Sequence, residues 1–345
     1  EYGVYIDREH EITPRLKATY GLRYSRFDNI GNQKLYSYDS EFNVSDTAQT
    51  GKGVFNSYHG LEPRAGARYT LDTESSIKAS YNRTYQYVQI ASNSTGSSPL
   101  DVWFSASPNV DPQRADQVAV GYFRNFKQNE YEASVELYHK WMDNTIDFKN
   151  QAQLLLNEAL EGELRIGTSR AYGAEFLLRK NEGKFTGFIS YTLSKVERKI
   201  DVDASLPGVE TYLASYDKTH DLAVVGSYEL NKKWTFGANF IYGTGNAVTL
   251  PTGKYYMKGS LIPVYSERNG ARMQPYHRLD VSATLQNKVK EGKRWRSEWV
   301  FSIYNVYSRK NPFSYTFTKG DDGTPKAQKV YLFPVIPSVT YNFNF

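Results

Sequence analysis

The stretch Lys233-Trp-Thr-Phe-Gly-Ala-Asn-Phe-Ile-Tyr242 alternates, residue by residue, between apolar and polar or small side chains. The even positions hold Trp234, Phe236, Ala238, Phe240 and Tyr242. Ile241 is the one large apolar residue at an odd position. Successive side chains of a β-strand point to opposite faces of the sheet. The stretch therefore predicts a strand with one apolar and one polar face.

The same alternation recurs from one end of the chain to the other, for example in residues 15–25, 130–137 and 184–194. In 184–194, Phe188 is the one large apolar residue at a position where the pattern expects a polar one. We predict thirteen strands, at 2–10, 15–27, 60–71, 75–89, 115–127, 130–148, 169–180, 184–199, 219–230, 233–249, 276–288, 294–317 and 326–345. A soluble antiparallel sandwich would also alternate, but its strands usually run to about 5–6 residues. Most of the predicted strands are longer, which favours a wall that crosses a membrane.

The connections alternate between short and long. Short turns are predicted near residues 13–14, 72–74, 127–129, 181–183, 231–232 and 290–292. Long segments are predicted at about 29–60, 90–114, 149–168, 200–219, 251–275 and 309–328. Short periplasmic turns and long external loops are typical of outer-membrane barrels. The predicted fold is therefore all-β, a transmembrane antiparallel β-barrel, with residues 1–345 as a single domain.

The composition agrees with this fold. The chain has 29 tyrosines and 15% aromatic residues, yet its mean hydropathy is only −0.61. No run of about 18 apolar residues occurs, which excludes a membrane-spanning helix. A barrel tolerates low mean hydropathy because half of each strand faces a wet lumen. Aromatic residues also gather near predicted strand ends, where an amphipathic ring suits the headgroup level.

Strand direction predicts that the wall continues beyond this chain. With thirteen antiparallel strands, the first and the last run in the same direction, so closing the set on itself would pair two parallel strands. Bacterial single-chain barrels have even strand numbers, and an open edge in lipid leaves backbone groups unpaired. The chain begins with Glu1-Tyr-Gly3, without Met or a signal segment. We therefore expect further strands before Glu1.

Charge and cysteine content exclude several function classes. The net charge of +5 is small for 345 residues and the basic residues are dispersed, so we expect no nucleic-acid binding. There is no cysteine, which removes disulfides, thiolate metal sites and cysteine nucleophiles. No G-x-S-x-G or P-loop motif occurs. We expect no cofactor.

The histidines do not form a catalytic or metal-binding pattern. The five are His10, His59, His139, His220 and His277, and no pair has metal-ligand spacing. His220 with Asp221, or His277 with Asp280, could be drawn as a base and its orienting group, but both positions are expected at the barrel rim. Gly243-Thr-Gly245 reads as a loop bend and Asp321-Asp-Gly323 as a loop tip. The sequence predicts that the protein is not an enzyme.

The last residues, Ser338-Val-Thr-Tyr-Asn-Phe-Asn-Phe345, form one more alternating strand. Its apolar face would present Val339, Tyr341, Phe343 and Phe345. A terminal strand ending in Phe with this spacing resembles the signal by which outer-membrane barrels are recognised for assembly. We therefore expect barrel-assembly machinery as a partner, and Phe345 as the final lipid-facing aromatic residue.

Six further stretches resemble the C-terminal barrel of TonB-dependent outer-membrane receptors, particularly those of Bacteroidota. They are Tyr20-Gly-Leu-Arg-Tyr24, Tyr216-Asp-Lys-Thr-His-Asp-Leu222, Gly243-Thr-Gly-Asn246, Tyr265-Ser-Glu-Arg-Asn-Gly270, Tyr276-His-Arg-Leu-Asp280 and Tyr304-Asn-Val-Tyr-Ser-Arg-Lys-Asn-Pro-Phe313. The resemblance implies a 22-stranded barrel in the bacterial outer membrane, of which about thirteen strands are present. It also implies a plug and an energy-coupling segment that are not in this chain.

The resemblance implies import of a scarce nutrient, which could be a siderophore, haem, cobalamin, a glycan or a peptide. Its partners would be outer-membrane lipid, a TonB-type energy-coupling complex reached through the missing N-terminal part, and a possible surface lipoprotein. Two alternatives remain open. The barrel could be a structural or assembly subunit of a larger outer-membrane complex, or it could be a passive pore or signalling receptor.

Two sets of residues are candidates for function. Loop aromatic side chains that could stack on a ligand are Tyr85, Tyr87, Trp103, Phe104, Tyr212, Tyr216, Tyr255 and Tyr256. Charges expected on the lumen face, where they would hold a plug or keep the lumen wet, are Arg23, Arg64, Arg68, Glu130, Glu132, Glu136, Asp280 and Glu298.

Overall fold

The computed structural model describes residues 1–91, 102–202, 211–257, 260–287, 296–319 and 325–344. Thirteen strands follow one another in a single antiparallel sheet, in the order of the chain. They are β1 (Tyr2–Thr13), β2 (Leu16–Ile30), β3 (Val54–Thr70), β4 (Ser75–Gln86), β5 (Gln113–Phe126), β6 (Tyr131–Phe148), β7 (Leu164–Lys180), β8 (Phe185–Lys199), β9 (His220–Glu229), β10 (Trp234–Gly243), β11 (Tyr276–Gln286), β12 (Arg296–Tyr304) and β13 (Ile336–Asn344). A short strand, Thr211–Leu213, adds to the end of β8. The predicted number and order of wall strands are confirmed.

The short turns are held by side chains that bond to the backbone. At the β1–β2 turn, Thr13 Oγ1 accepts hydrogen bonds from the amides of Arg15 and Leu16. At the β3–β4 turn, Asp72 Oδ1 accepts from the amides of Glu74 and Ser75, each at 2.8 Å. Asn231 does the same before β10. Asp, Asn and Thr favour such turns because their oxygens replace a backbone acceptor.

The register divides the sheet into two chemically different faces. Across β9, β10 and β11, Val224 is opposite Phe240 and Phe240 is opposite Leu279. One position along, Asn239 lies opposite Val225 and Asp280. The outward face is therefore almost continuously apolar in its middle part, and the other face is mainly polar. The structure places Ile241 and Phe188, the two exceptions in the sequence pattern, on the polar face.

Buried apolar side chains do not lie in the middle of the wall. Among the described residues they gather at its long-loop end, where Ile146, Phe148, Phe104, Val110 and Leu164 form a compact cluster with Ala91. The wall itself exposes apolar side chains such as Leu137, which is 52% exposed. Apolar surface of this extent is expected where lipid replaces water as the solvent.

Much of what the sequence predicted as loop is paired into short hairpins. They are formed by Lys34–Tyr38 with Val44–Gln49, Val88–Ala91 with Val102–Ser105, Pro251–Met257 with Ser260–Tyr265, and Pro312–Lys319 with Pro325–Tyr331. Two-residue strands at Ala247–Val248 and Ala271–Arg272 also pair with each other. The external end of the wall therefore carries ordered structure.

The prediction of single strands at 294–317 and 326–345 is wrong. β12 ends at Tyr304 because Asn305 has a positive φ of 54°, and its side-chain amide donates to the carbonyls of Arg309 and Pro334. Residues 312–319 and 325–331 form a separate hairpin, and β13 begins only at Ile336. The predicted strand 233–249 likewise ends at Gly243.

β1 and β13 are the outer strands of the sheet, and among the described residues neither pairs with a further strand. Both run in the same direction, because the path alternates through an odd number of strands. In the described part of the chain, no helix is long and apolar enough to cross a membrane.

Candidate functional site

The register places seven of the eight predicted lumen charges on the polar face, whereas Glu130 lies in the turn before β6 and pairs with Lys180, whose strand position is on the outward face. Six of the eight bond to other groups of the wall. Arg23 pairs with Glu1 at 3.1 Å, Arg64 with Asp7 at 3.5 Å and Glu132 with Arg179 at 3.6 Å. The other three pair as follows: Glu130 with Lys180, Asp280 with Arg278, and Glu298 with Asn342. Arg68 and Glu136 make no ion pair with any described residue. Their contact with a plug stays a prediction.

At the external end, the first and third long loops are joined by a carboxylate and an aromatic ring. Glu158 accepts hydrogen bonds from Lys34 at 3.1 Å and from the Tyr36 hydroxyl at 3.0 Å, and these bonds lower the pKa of its carboxyl. Nearby, the Arg165 guanidinium stacks 3.7 Å from the centre of the Phe42 ring. Loops whose contacting residues are 122 and 124 positions apart in the sequence therefore pack as one unit.

The second loop joins the same assembly through Glu161. Its carboxylate accepts from the Ser107 hydroxyl and from the Asn109 side-chain amide, each at 2.6 Å. Tyr58, at the start of β3, donates to the Ser107 carbonyl at 2.7 Å. These bonds fix the mouth of the wall on the β2–β7 side.

Asp147, at the top of β6, is the centre of a second group of contacts. Its carboxylate accepts from Arg268 at 2.7 Å, from Tyr212 at 2.8 Å and from Arg198 at 3.1 Å. The Asp147 side chain is only 7% exposed. Burial, together with the nearby carboxylate, raises the pKa of the Tyr212 phenol, so the phenol remains a proton donor. We call Asp147, Arg198, Tyr212 and Arg268 the Asp147 hub.

A third group of contacts joins two of the six stretches that resemble the receptor family, Tyr216–Leu222 and Gly243–Asn246. Asp217 is fully buried and pairs with Arg272. Arg272 also donates to the carbonyl of Gly245 at 3.1 Å. A Cβ at Gly245 would lie 1.9 Å from the Met273 carbonyl oxygen, so only glycine fits there. The Tyr216–Leu222 stretch, which contains Asp217, is therefore in contact with the Gly243–Asn246 stretch.

The Tyr276–Asp280 and Tyr304–Phe313 stretches are also in contact. The Asp280 carboxylate accepts hydrogen bonds from the backbone amide of Asn305 at 2.8 Å and from the Arg278 guanidinium at 2.9 Å. Arg278 in turn donates to the Tyr304 hydroxyl at 2.6 Å. His277 and Asn311 exchange two hydrogen bonds, one through each backbone group of His277. Stretches that are separate in the sequence thus build one continuous rim.

The eight predicted ligand-contact aromatics differ in how deeply they are buried. Three are buried in loop packing: Tyr87 bonds to Ser25, Phe104 belongs to the apolar cluster, and Tyr212 belongs to the Asp147 hub. Tyr85 is half-buried and stacks on Tyr87. Four are exposed on the loops, namely Trp103 (67%), Tyr216 (56%), Tyr255 (48%) and Tyr256 (77%). No contact with a ligand is tested by this arrangement, and the eight residues stay predictions.

Sequence reasoning missed Asp147 and Asp217, which organise the loops. A lone acidic residue has no pattern around it, although Ile146-Asp-Phe148 does place a carboxylate between two apolar residues, which is unusual for a solvated loop. The assembly offers no ready metal centre. Among the described residues, no group of three or more His, Asp or Glu side chains could hold an ion.

At the other end of the fold, Val339, Tyr341 and Phe343 lie on the outward face of β13. They are 61%, 38% and 54% exposed. Tyr341 packs against Trp299 of β12, with ring centroids 4.7 Å apart. Phe345 lies outside the described residues. Recognition of this strand by assembly machinery stays a prediction.

The apolar outer face, the polar inner face and the alternation of short turns with interlocked loops define the wall of an outer-membrane β-barrel. The family model described as "TonB dependent receptor-like, beta-barrel" matches residues 1–306. The chain belongs to this family, whose members are outer-membrane proteins. No curated protein was found to match the chain.

Solved receptors share the fold at low sequence identity. The ferric-catecholate import receptor Fiu from E. coli K12 is 15% identical with a TM-score of 0.56, over 99% of this chain and 44% of that one. The pyoverdine receptor FpvA from Pseudomonas aeruginosa PAO1 is 13% identical, with a TM-score of 0.59 over 99% and 42%. The FrpB iron transporter from Neisseria meningitidis is 16% identical, with a TM-score of 0.56 over 99% and 45%. The chain thus spans less than half the length of these proteins.

Proposed function

We propose that this chain forms the C-terminal part of the wall, and most of the ligand-facing loops, of an outer-membrane receptor that imports a scarce nutrient. The proposal assigns the plug and the energy-coupling segment to a part of the receptor outside residues 1–345. Ligand binds the loops and the plug, and an inner-membrane motor of the TonB type then moves the plug. The barrel itself performs no chemistry on the ligand.

The observation that carries the proposal is the ordered loop assembly above a polar face. A passive pore needs a wet lumen but no rigid mouth, whereas selective capture requires contact groups held in place before the ligand arrives. The Asp147 hub and the Glu158 and Glu161 contacts hold the loops in this way. Exposed Trp103, Tyr216, Tyr255 and Tyr256 remain available for stacking.

We propose a ferric siderophore as the first ligand class to test. Two of the solved relatives are named for a ferric catecholate and a pyoverdine, and a third is named as an iron transporter. The flat, exposed Tyr255 and Tyr256 suit the aromatic or planar groups of such chelates. Haem, cobalamin, a glycan or a peptide delivered by a surface lipoprotein are the competing classes.

The test is uptake of radioactive iron into iron-starved cells that carry the full-length receptor, a deletion, or a Tyr255→Ala/Tyr256→Ala variant. We expect the deletion to abolish uptake of at least one ferric chelate. The double variant should weaken its binding by roughly tenfold or more, since exposed aromatic anchors dominate such contacts. A Leu155→Ala/Leu156→Ala variant is the matched control, because it removes an exposed apolar pair without aromatic rings.

A strain that lacks the energy-coupling complex should show the same loss as the deletion. The import proposal is overturned if the deletion strain takes up iron chelates, haem, cobalamin, glycans and peptides at the parental rate. If the deletion strain loses uptake of one of the other ligands alone, the import proposal stands and the proposal of a ferric siderophore as ligand is rejected.

A further inference from the structure

We propose that the outward face of β4–β8, at its loop end, binds the phosphate groups of phosphorylated lipids in the outer leaflet. The site is a row of side chains joined by the register of the sheet. Arg83 lies opposite Asp116, Asp116 opposite Trp141, Trp141 opposite Arg170, and Arg170 opposite Glu197. With strands about 4.8 Å apart, this row is roughly 19 Å long. We call it the arginine row.

The arginine row lies directly above the apolar band of the wall. Along β5, Arg114 and Asp116 are followed on the same face by Val118, Val120 and Tyr122, and then by Arg124. The ten residue steps from Arg114 to Arg124 span roughly 33 Å along the strand, or about 23 Å of membrane at a tilt near 45°. That matches the apolar band of outer-membrane barrels, which is about 25 Å tall. The two arginines therefore mark opposite membrane surfaces.

A tyrosine and a histidine lie between the arginine row and the purely apolar part of the outward face. One step below the row, the register brings His139 beside Tyr172, and their rings stack with centroids 5.6 Å apart. His139 also packs on Trp141 at 4.1 Å. Amphipathic rings of this kind settle at the headgroup level. Because the row runs at right angles to strands tilted by about 45°, its two ends differ in height by roughly 13 Å, and the row passes through the level of the lipid phosphates.

Each carboxylate of the row is less exposed than the cations that it holds. Asp116 is 19% exposed and holds Arg83 at 2.7 Å, while Arg114, 39% exposed, lies 3.5 Å from it. Glu197 is 9% exposed and holds Arg170 and Lys195, each at 2.7 Å, yet those two cations are 54% and 46% exposed. Asp116 and Glu197 thus position the cations from beneath, while Arg114 also pairs with Asp143, whose side chain is 43% exposed.

This arrangement suits a phosphate. A guanidinium has five N–H donors in a planar fork, and the neighbouring carboxylates engage only part of them: Arg114 lies between Asp116 and Asp143, and Arg170 pairs with Glu197. The outward N–H groups can hold a phosphate in the bidentate geometry that arginine favours. An acyl chain attached to that phosphate would lie against Val118, Val120 and Leu137. A phosphorylated lipid is the occupant that satisfies both halves of the surface.

The row is confined to one arc of the wall. At the corresponding ends of β9, β10 and β11 the outward face carries His220, Tyr242 and His277. His220 bonds to Tyr191 and His277 to Tyr307, each at 2.8 Å. A girdle that served only to mark the interface would be similar around the described wall. On β2, a single outward arginine, Arg26, occupies the loop end and pairs with Asp28 at 2.8 Å. The grouping of Arg83, Arg114 and Arg170 on β4–β8 therefore favours a specific lipid contact.

The experiment uses the full-length receptor in detergent, with native mass spectrometry of bound lipid. Diphosphorylated lipid A is titrated against the same lipid without phosphates. We expect the phosphorylated form to bind at least tenfold more tightly to the parent protein. An Arg114→Gln/Arg170→Gln variant should lose that preference, and an Arg114→Lys/Arg170→Lys variant should retain part of it.

The matched control is Arg124→Gln/Lys180→Gln, which removes two cations from the other ends of the same two strands, β5 and β7. Binding of phosphorylated lipid A to this variant should stay within twofold of the parent. The proposal is overturned if both forms of the lipid bind equally, or if the control pair loses as much as the Arg114/Arg170 pair. It is also overturned if inorganic phosphate alone displaces the lipid at equal concentration. Heat-modifiable mobility in gels shows that each variant is folded.

Discussion

Asp147→Ala is expected to release the fourth and fifth external loops while leaving the wall intact. The substitution leaves Arg198 and Arg268, which are 16% and 18% exposed, without their shared carboxylate. Removing one partner from a buried ion pair costs about 3–5 kcal/mol, because the remaining charge is left without compensation. The Tyr212 hydroxyl also loses its acceptor. The lost free energy destabilises the packed arrangement of the loops and not the wall, since Asp147 lies above the membrane band.

Hydrogen–deuterium exchange of the purified receptor measures this effect. Amides in Thr211–Leu213 and around Arg268 should exchange at least a hundredfold faster, consistent with a loss of about 3 kcal/mol. Amides in β10 and β11 should be unchanged. Glu158→Ala is the control, because Glu158 is a loop carboxylate of the same kind of ion pair but is 76% exposed. Equal loosening of 211–213 by both variants would contradict the role of the Asp147 hub.

Phe240→Arg is expected to reduce the folded barrel strongly, whereas the neighbouring Asn239→Arg is expected to be mild. Phe240 lies between Val224 and Leu279 on the lipid face. Arginine near the middle of that face costs about 2–4 kcal/mol. Asn239 lies on the polar face opposite Asp280, where a cation gains a carboxylate as neighbour.

The measurement is the folded fraction of each variant during urea titration, detected by heat-modifiable mobility in gels. The midpoint should fall clearly for Phe240→Arg and little for Asn239→Arg. If both variants lose the same stability, the assignment of the two faces is incorrect.

The wall was predictable from the sequence because alternation is a local property. In a strand with one lipid face and one wet face, apolar and polar residues alternate with a period of two. β2, β6 and β10 could therefore be located from their own residues, without knowledge of their neighbours. The short turns were equally local, since Thr13, Asp72 and Asn231 bond within three residues of themselves. Strand number and order followed from these two patterns.

The loops were not predictable in the same way, because their partners are distant in sequence. Asp147 meets Arg268 across 121 residues, and Asp217 meets Arg272 across 55. Nothing near Asp147 in the sequence indicates that Arg268 is its partner. The candidate aromatics show the same limit: Tyr87 and Tyr256 look alike as loop tyrosines, but one is 3% exposed and the other 77%.

The error at the end of the chain has a similar origin. Residues 294–317 are rich in strand-forming side chains, and propensity alone continues the strand past Tyr304. The interruption depends on Asn305, whose amide bonds to carbonyls near 309 and 334. The bond to the Pro334 carbonyl forms only when β13 pairs with β12, so tertiary contact overrides local preference.

The most direct test of the account is the environment of successive side chains along β10. Spin labels are attached, one at a time, to cysteines introduced at Thr235, Phe236, Ala238, Asn239, Phe240 and Ile241 in the full-length receptor in lipid vesicles, since this chain has no cysteine of its own. Collision rates with oxygen, which enters lipid, are compared with those of a water-soluble nickel complex.

Labels at 236, 238 and 240 should collide mainly with oxygen, while labels at 235, 239 and 241 should not. Position 241 decides the matter, because the apolar Ile241 would face lipid if hydropathy alone governed its direction, whereas the register places it on the polar face. Strict alternation through 241 is the result that the account predicts. A lipid signal at 241, or the same oxygen accessibility at all six positions, would contradict it.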